Sequence, residues 1–154
     1  MNTANEASLN ALLDKQAITE NMLRYCRGCD RFDLELLKSV YWPEATDDHG
    51  AYAGSAIQFA HFVCETKHIY KALSHHISPV LIELDGDRAK AETYFLCMVV
   101  HNDQYEMGAA EYMIGGRYMD VCERRAGEWK ILRRTVIWDW NLKHSGLSDW
   151  GHMK

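Results

Sequence analysis

Proline is scarce in this chain, two residues in 154. No Gly/Ser-rich linker, internal repeat or low-complexity tract divides it, so residues 1–154 are read as a single domain around one core. No apolar run approaches the roughly 18 residues of a membrane span. The opening MNTANEASLN has neither a basic start nor an apolar segment, so a cytoplasmic protein is expected. The net charge is −5, without a block of like charges; nucleic acid and anionic membranes are therefore not expected as partners, and a small neutral or apolar ligand is. The five cysteines are odd in number and scattered, which excludes a disulfide framework. The chain also lacks a zinc-binding HExxH, a P-loop, a GxSxG elbow and a dinucleotide glycine fingerprint, so NTPase, serine hydrolase and nicotinamide chemistry have no support. His68, His75 and His76 are too poorly aligned to hold a metal together, because neighbours on a strand point to opposite faces. Neither a metal nor a cofactor is expected.

What is present is a change of period. From Ser8 to about Asp30 the apolar residues Ile18, Met22, Tyr25, Cys26 and Cys29 recur at helical spacing and form one face. That stripe accounts for the CRGC pair without redox chemistry. Asp33 is placed to cap a short helix from Leu34 to Tyr41, and Ser55 with Gln58 forms a capping box for a third helix that fades before Lys71. The period then falls to two. Strands are predicted over Ile77–Leu84, Arg88–His101, about Ala109–Arg124 and Glu128–Asn141, with DGD and RAGE as turns. Gly115 and Gly116 mark a bulge or a close backbone approach. Helices followed by an antiparallel meander define an α+β fold, a curved antiparallel sheet with N-terminal helices.

A few residues could carry chemistry. A carboxylate at the inner end of a helix, Asp30, needs a partner or water. Paired with a histidine, it would fix the imidazole tautomer and leave the second nitrogen free to take a proton. His75 and His76 are the candidates, and alternation with Val80, Ile82 and Leu84 slightly favours His76. Arg134, among the aromatics of WKILRRTVIWDW, could hold an oxyanion or make an interface salt bridge. In Arg88–His101, Tyr94, Leu96, Met98 and Val100 face one way and Thr93, Phe95, Cys97 and Val99 the other; both faces are mostly apolar, which implies a cavity on one side or self-association.

RYCRGCDRFD, YWPEATDDHG, SHHISPVLIELDGDRAKAETYF and YMDVCERRAGEWKILRR together resemble the SnoaL-like group of the nuclear transport factor two-like superfamily over almost the whole chain. The resemblance implies a cone with an internal pocket. It points to the cofactor-independent lyase branch, which includes hexachlorocyclohexane dehydrochlorinase, scytalone dehydratase and bile-acid 7-alpha-dehydratase. By motif position the branch's Asp/His dyad falls on Asp30 and His75, with His76 as neighbour. Tyr25 matches a leaving-group contact and Arg134 the dehydrochlorinase arginine. Convergence of Tyr25 and Asp30 requires the helix to end before Asp30. Pro79 stands where the dehydrochlorinase pattern has asparagine, and the second histidine of scytalone dehydratase has no match, so chlorinated rings and scytalone itself are not the implied substrates.

The implied activity is elimination of water, halide or formaldehyde from an aromatic or polycyclic hydrophobic molecule, such as a lignin-derived diaryl alcohol. Asp30 would orient His75 as base, and Tyr25 or Arg134 would meet the leaving group. Trp42, Tyr94, Met98, Trp138 and His76 are expected to contact substrate. The branch also implies a homo-oligomer, a trimer rather than a dimer. Because the same cone serves without turnover elsewhere, a module that binds an apolar ligand or a protein partner is the alternative.

Overall fold

The computed structural model describes residues 3–102 and 111–144. Helix α1 (Thr3–Arg31) buries the predicted stripe of Ile18, Met22, Tyr25, Cys26 and Cys29. It stops at Phe32, which takes a left-handed φ of +52° while the amides of Phe32 and Asp33 return to the carbonyls of Cys29 and Gly28. Asp33 caps α2 (Leu34–Ser39) by accepting from the Leu36 N–H at 3.0 Å. A side chain at Gly28 would press into Leu37, which lets α2 fold tightly back on α1. Ser55 caps α3 (Ala56–Glu65) through the Gln58 N–H, and a 3₁₀ turn, Thr66–Ile69, follows.

Seven strands make one curved, open sheet: β1 (Tyr41–Asp48), β2 (Ala53–Ser55), β3 (Tyr70–Ile77), β4 (Leu81–Asp85), β5 (Arg88–His101), β6 (Glu111–Arg125) and β7 (Glu128–His144). Their order is β2-β1-β7-β6-β5-β3, with β4 also on β5. The sheet is mixed, not purely antiparallel, because β1 runs parallel to β7. No hairpin joins those two strands, so nothing forces them to oppose one another.

Two of the predicted boundaries differ. The second helix ends at Ser39 because Tyr41 opens β1, a strand masked in the sequence by Pro43; the β1–β7 register shifts between Tyr41 and Thr46, the stretch that contains this proline, which has no N–H to offer a ladder. The predicted strand Ile77–Leu84 is two strands, β3 and β4, separated at Ser78–Val80 around Pro79. The predicted start near Ala109 lies outside the described residues. The bulge at Gly115/Gly116 is present, and a Cβ on Gly116 would collide with the Ile137 carbonyl and the Phe95 ring.

Helices α1 and α3 lie across one face of the sheet, α1 against β3 and α3 against β1. Alternation along β5 sends Thr93, Phe95, Cys97 and Val99 to that inner side and Tyr94, Leu96 and Met98 to the outer one. Among the described residues no helix is long and apolar enough to cross a membrane.

Candidate active site

Between the helices and the inner face lies a cavity of about 460 Å³. Rings of Tyr52, Phe59, Phe62, Phe95 and Trp138 line much of it, and Tyr25, His49 and His75 are polar groups on its wall.

His75 sits on β3, and Asp30 approaches it from the last turn of α1. One Asp30 carboxylate oxygen lies 2.6 Å from His75 Nδ1, and both accept the His75 backbone N–H, at 3.1 and 3.0 Å. An ionised carboxylate accepts, so Nδ1 carries the hydrogen and Nε2 is left as a basic lone pair. The helix does not end before Asp30, as convergence with Tyr25 had required. Five residues apart on a continuous helix, Tyr25 faces the cavity while Asp30 meets His75 from behind, and the two rings Tyr25 and His75 stand 6.4 Å apart.

A second aspartate–histidine pair, not foreseen, stands on the opposite wall. Asp47 and His49, two residues apart along β1 and its continuation, share the inward side. Asp47 Oδ1 bonds His49 Nδ1, its Oδ2 accepts from Tyr41 Oη at 2.7 Å, and His49 Nε2 lies 3.1 Å from Tyr25 Oη. The His49 ring stacks on Phe59 at 4.1 Å, and its carbonyl accepts from Trp138 Nε1 at 3.0 Å. The legible signal was the alternation Tyr41, Ala45, Asp47, His49 within YWPEATDDHG, which places polar groups at inward positions.

Arg134 is fully buried and lines no part of the cavity. It forks onto Asp120 with two bonds of 2.8 Å, and its guanidinium lies 4.0 Å from the Tyr25 ring centre and 4.2 Å from that of Tyr118. Burial pulls its pKa down, but Asp120 together with the nearby Tyr41 and Tyr25 outweighs it and holds the pKa well above its ordinary value. It therefore supports Tyr25 from behind and does not reach a leaving group itself. Alternation along β7 fails at a bulge between the pairs Val121–Arg133 and Cys122–Ile131, so Ile131 and Arg134 are both buried. Burial also pushes the Tyr25 phenol well above its usual pKa, with Arg134 pulling the other way, so the group is a protonated phenol at neutral pH.

Of the five residues expected to contact substrate, Trp138 lines the cavity and four do not. His76 and Met98 border a separate depression on the outer face, and His76 bonds Ser74 Oγ. The break at Pro79 is why alternation with Ile82 misdirected the reading of His76. Tyr94, on the outer side of β5, is half exposed beneath Arg117. Trp42 points out of β1, donates to the Glu123 carbonyl and is covered by Arg125 and Lys130.

Comparison with known proteins gives a consistent picture. Residues 10–135 match the model of the SnoaL-like domain. No curated protein matches the sequence. A solved hexachlorocyclohexane dehydrochlorinase from Novosphingobium barchaimii LL02 superposes with a TM-score of 0.80 at 19% identity, covering 91% of this chain and 96% of that one. A scytalone dehydratase candidate from Novosphingobium aromaticivorans gives 0.78 at 16%, covering 90% and 93%. A nuclear transport factor 2-like protein from Salmonella enterica serovar Typhimurium gives 0.71 at 22%, covering 88% and 95%. At these identities the likeness is one of fold.

Proposed function

The chain belongs to the SnoaL-like domain family, and on that premise we propose that it is a cofactor-independent lyase acting on an aromatic or polycyclic hydrophobic molecule, such as a lignin-derived diaryl alcohol. The observation that carries this reading is His75, held by Asp30 with Nε2 free, on the wall of an apolar cavity that also presents Tyr25.

Asp30 fixes the tautomer and steadies the imidazolium that forms. His75 Nε2 removes a proton, the released electron pair forms a double bond, and the leaving group departs with its own pair. Tyr25 donates to a departing hydroxyl, which leaves as water; a halide departs as the anion. For formaldehyde, the same base takes the proton of a primary alcohol, the oxygen's pair closes the C=O of formaldehyde, and the pair of the broken carbon–carbon bond forms the double bond as the group on the adjacent carbon departs. A positioned base of this kind contributes roughly 10²–10⁴-fold. The ring-lined cavity supports a substrate with aromatic groups.

The relatives found among solved structures include a dehydrochlorinase and a dehydratase candidate, which fits a lyase without choosing the leaving group. Self-association is part of the same reading. The outer face exposes Leu81, Tyr94, Leu96 and Leu142, an apolar surface suited to a second copy, and the mass in solution tests it.

The deciding experiment offers a panel of aromatic and steroid-like alcohols and halides to the protein and to His75→Ala, and follows product mass. Loss of water, hydrogen halide or formaldehyde by the wild type alone supports the lyase. Equal binding of a panel member by both proteins, with no turnover, shifts the reading to a carrier.

A further inference from the structure

From the chain of contacts Tyr41, Asp47, His49 and Tyr25 we infer that the second aspartate–histidine pair is a proton relay: His49 supplies the proton that Tyr25 gives to the leaving oxygen. This rests on the lyase reading and adds the acid half of the reaction, opposite the base.

The pairing follows from burial. Among the described residues the buried charged side chains are Asp47, Asp120 and Arg134. Arg134 is taken by Asp120 through both carboxylate oxygens. A buried carboxylate is costly unless its oxygens are paired, and those of Asp47 are met by the Tyr41 hydroxyl and by His49, the basic group among its partners. As an imidazolium, His49 donates Nδ1–H to Asp47 and Nε2–H to the Tyr25 oxygen. The phenolic hydrogen is then turned away from His49, toward the cavity, where a substrate oxygen can accept it.

The step balances. The C–O bond breaks and its pair goes to oxygen; the Tyr25 Oη–H proton joins that oxygen and completes water. The His49 Nε2–H proton passes to the Tyr25 oxygen, leaving a neutral imidazole whose Nδ1–H still faces Asp47. Solvent restores the proton to His49 and accepts the one His75 took from carbon. The relay matters because Tyr25 is buried. A phenol acting alone would be left as a buried phenolate, and its raised pKa measures how unfavourable that is. His49 is in this sense a positioning and proton-supplying residue, while Tyr25 touches the substrate.

A leaving group that needs no proton exposes the relay. With 3-hydroxy-1,3-diphenylpropan-1-one and its 3-acetoxy counterpart, elimination gives the same product, chalcone, read by absorbance. His49→Gln and His49→Asn keep an amide donor for Asp47. Neither supplies a charge, so both are expected to melt lower; assayed where each is fully folded, they lose about 10²-fold in kcat on the alcohol, while kcat on the acetate and both KM values change little. Tyr25→Phe behaves the same way, and the double variant adds no further loss because the two act as a unit. His75→Ala loses both reactions. If His49 variants slow alcohol and acetate equally, or neither, the relay is overturned and the lyase stands. If the wild type forms chalcone from neither compound, the lyase reading fails on this substrate class and the relay falls with it.

Discussion

Asp30–His75 and Asp47–His49 use the same two residue types on facing walls, yet they are built in opposite ways. The first joins residues 45 apart in sequence, from helix end to strand, and its aspartate side chain keeps 23% of its surface exposed. The second joins residues two apart, and its aspartate side chain has no exposed surface. His75 has one nitrogen held and one open, whereas both nitrogens of His49 are engaged. An open nitrogen suits a base that must meet substrate. A doubly engaged one suits a group that passes protons through a neighbour.

The sharpest way to separate the two is to delete each ring. His75→Ala leaves Asp30 partly exposed and still accepting the residue-75 backbone N–H, so the expected result is a fall in turnover of about 10²–10⁴-fold with melting nearly unchanged. His49→Ala strands the buried Asp47 charge. Losing one partner of a buried pair costs about 3–5 kcal/mol, a drop on the order of 10 °C for a chain of this size. Thermal melts beside product assays check both. Equal melting of the two variants would mean that Asp47 does not depend on His49 for its charge.

The two pairs also differed in how far they could be read from sequence. The α1 stripe, the caps at Asp33 and Ser55, the glycine bulge and the long β5–β7 meander are local patterns, and local patterns survive into the fold. The Asp30–His75 pairing is long-range; alternation alone pointed at His76, and family resemblance supplied the choice. Asp47–His49 is local and yet was missed, because Pro43 and the turn-forming residues of DDHG obscure the strand pattern of β1. The pocket contacts chosen on β5 had the right alternation but the wrong side. Nothing in an apolar/apolar strand says which face the helices will cover, so Tyr94 and Met98 were placed in a cavity that belongs to Phe95 and Cys97.

A milder change weakens only the second pair's wall. Phe59, on which His49 stacks, lies in the first turn of α3, whose N-terminus Ser55 caps. Ser55→Ala is expected to cost about 1 kcal/mol, a few degrees of melting temperature. Activity on substrates with good leaving groups should hold, since Asp30–His75 is on α1 and β3. A melt of the variant, read beside its chalcone formation from the acetate, checks this.

The smallest expected effect tests what surrounds the first pair. Cys97 is the cross-strand partner of His75, and Cys29 lies on the same cavity wall. A cysteine next to a histidine invites nucleophilic catalysis, but the thiolate is the nucleophile and burial opposes it here. Burial pushes Cys97 up to about 12, with the Asp30 charge adding to it. Burial likewise holds Cys29 well above its ordinary range, against the pull of the Tyr25 hydroxyl. Both stay neutral thiols near pH 8, so brief iodoacetamide treatment of the native protein should label Cys64, which is partly exposed, and leave Cys26, Cys29, Cys97 and Cys122 unmodified by mass. Turnover after such treatment should match the untreated protein. Rapid labelling of Cys29 or Cys97 with loss of activity would instead make His75 the partner of a thiolate, and proton abstraction from carbon would no longer be the reason for its open nitrogen.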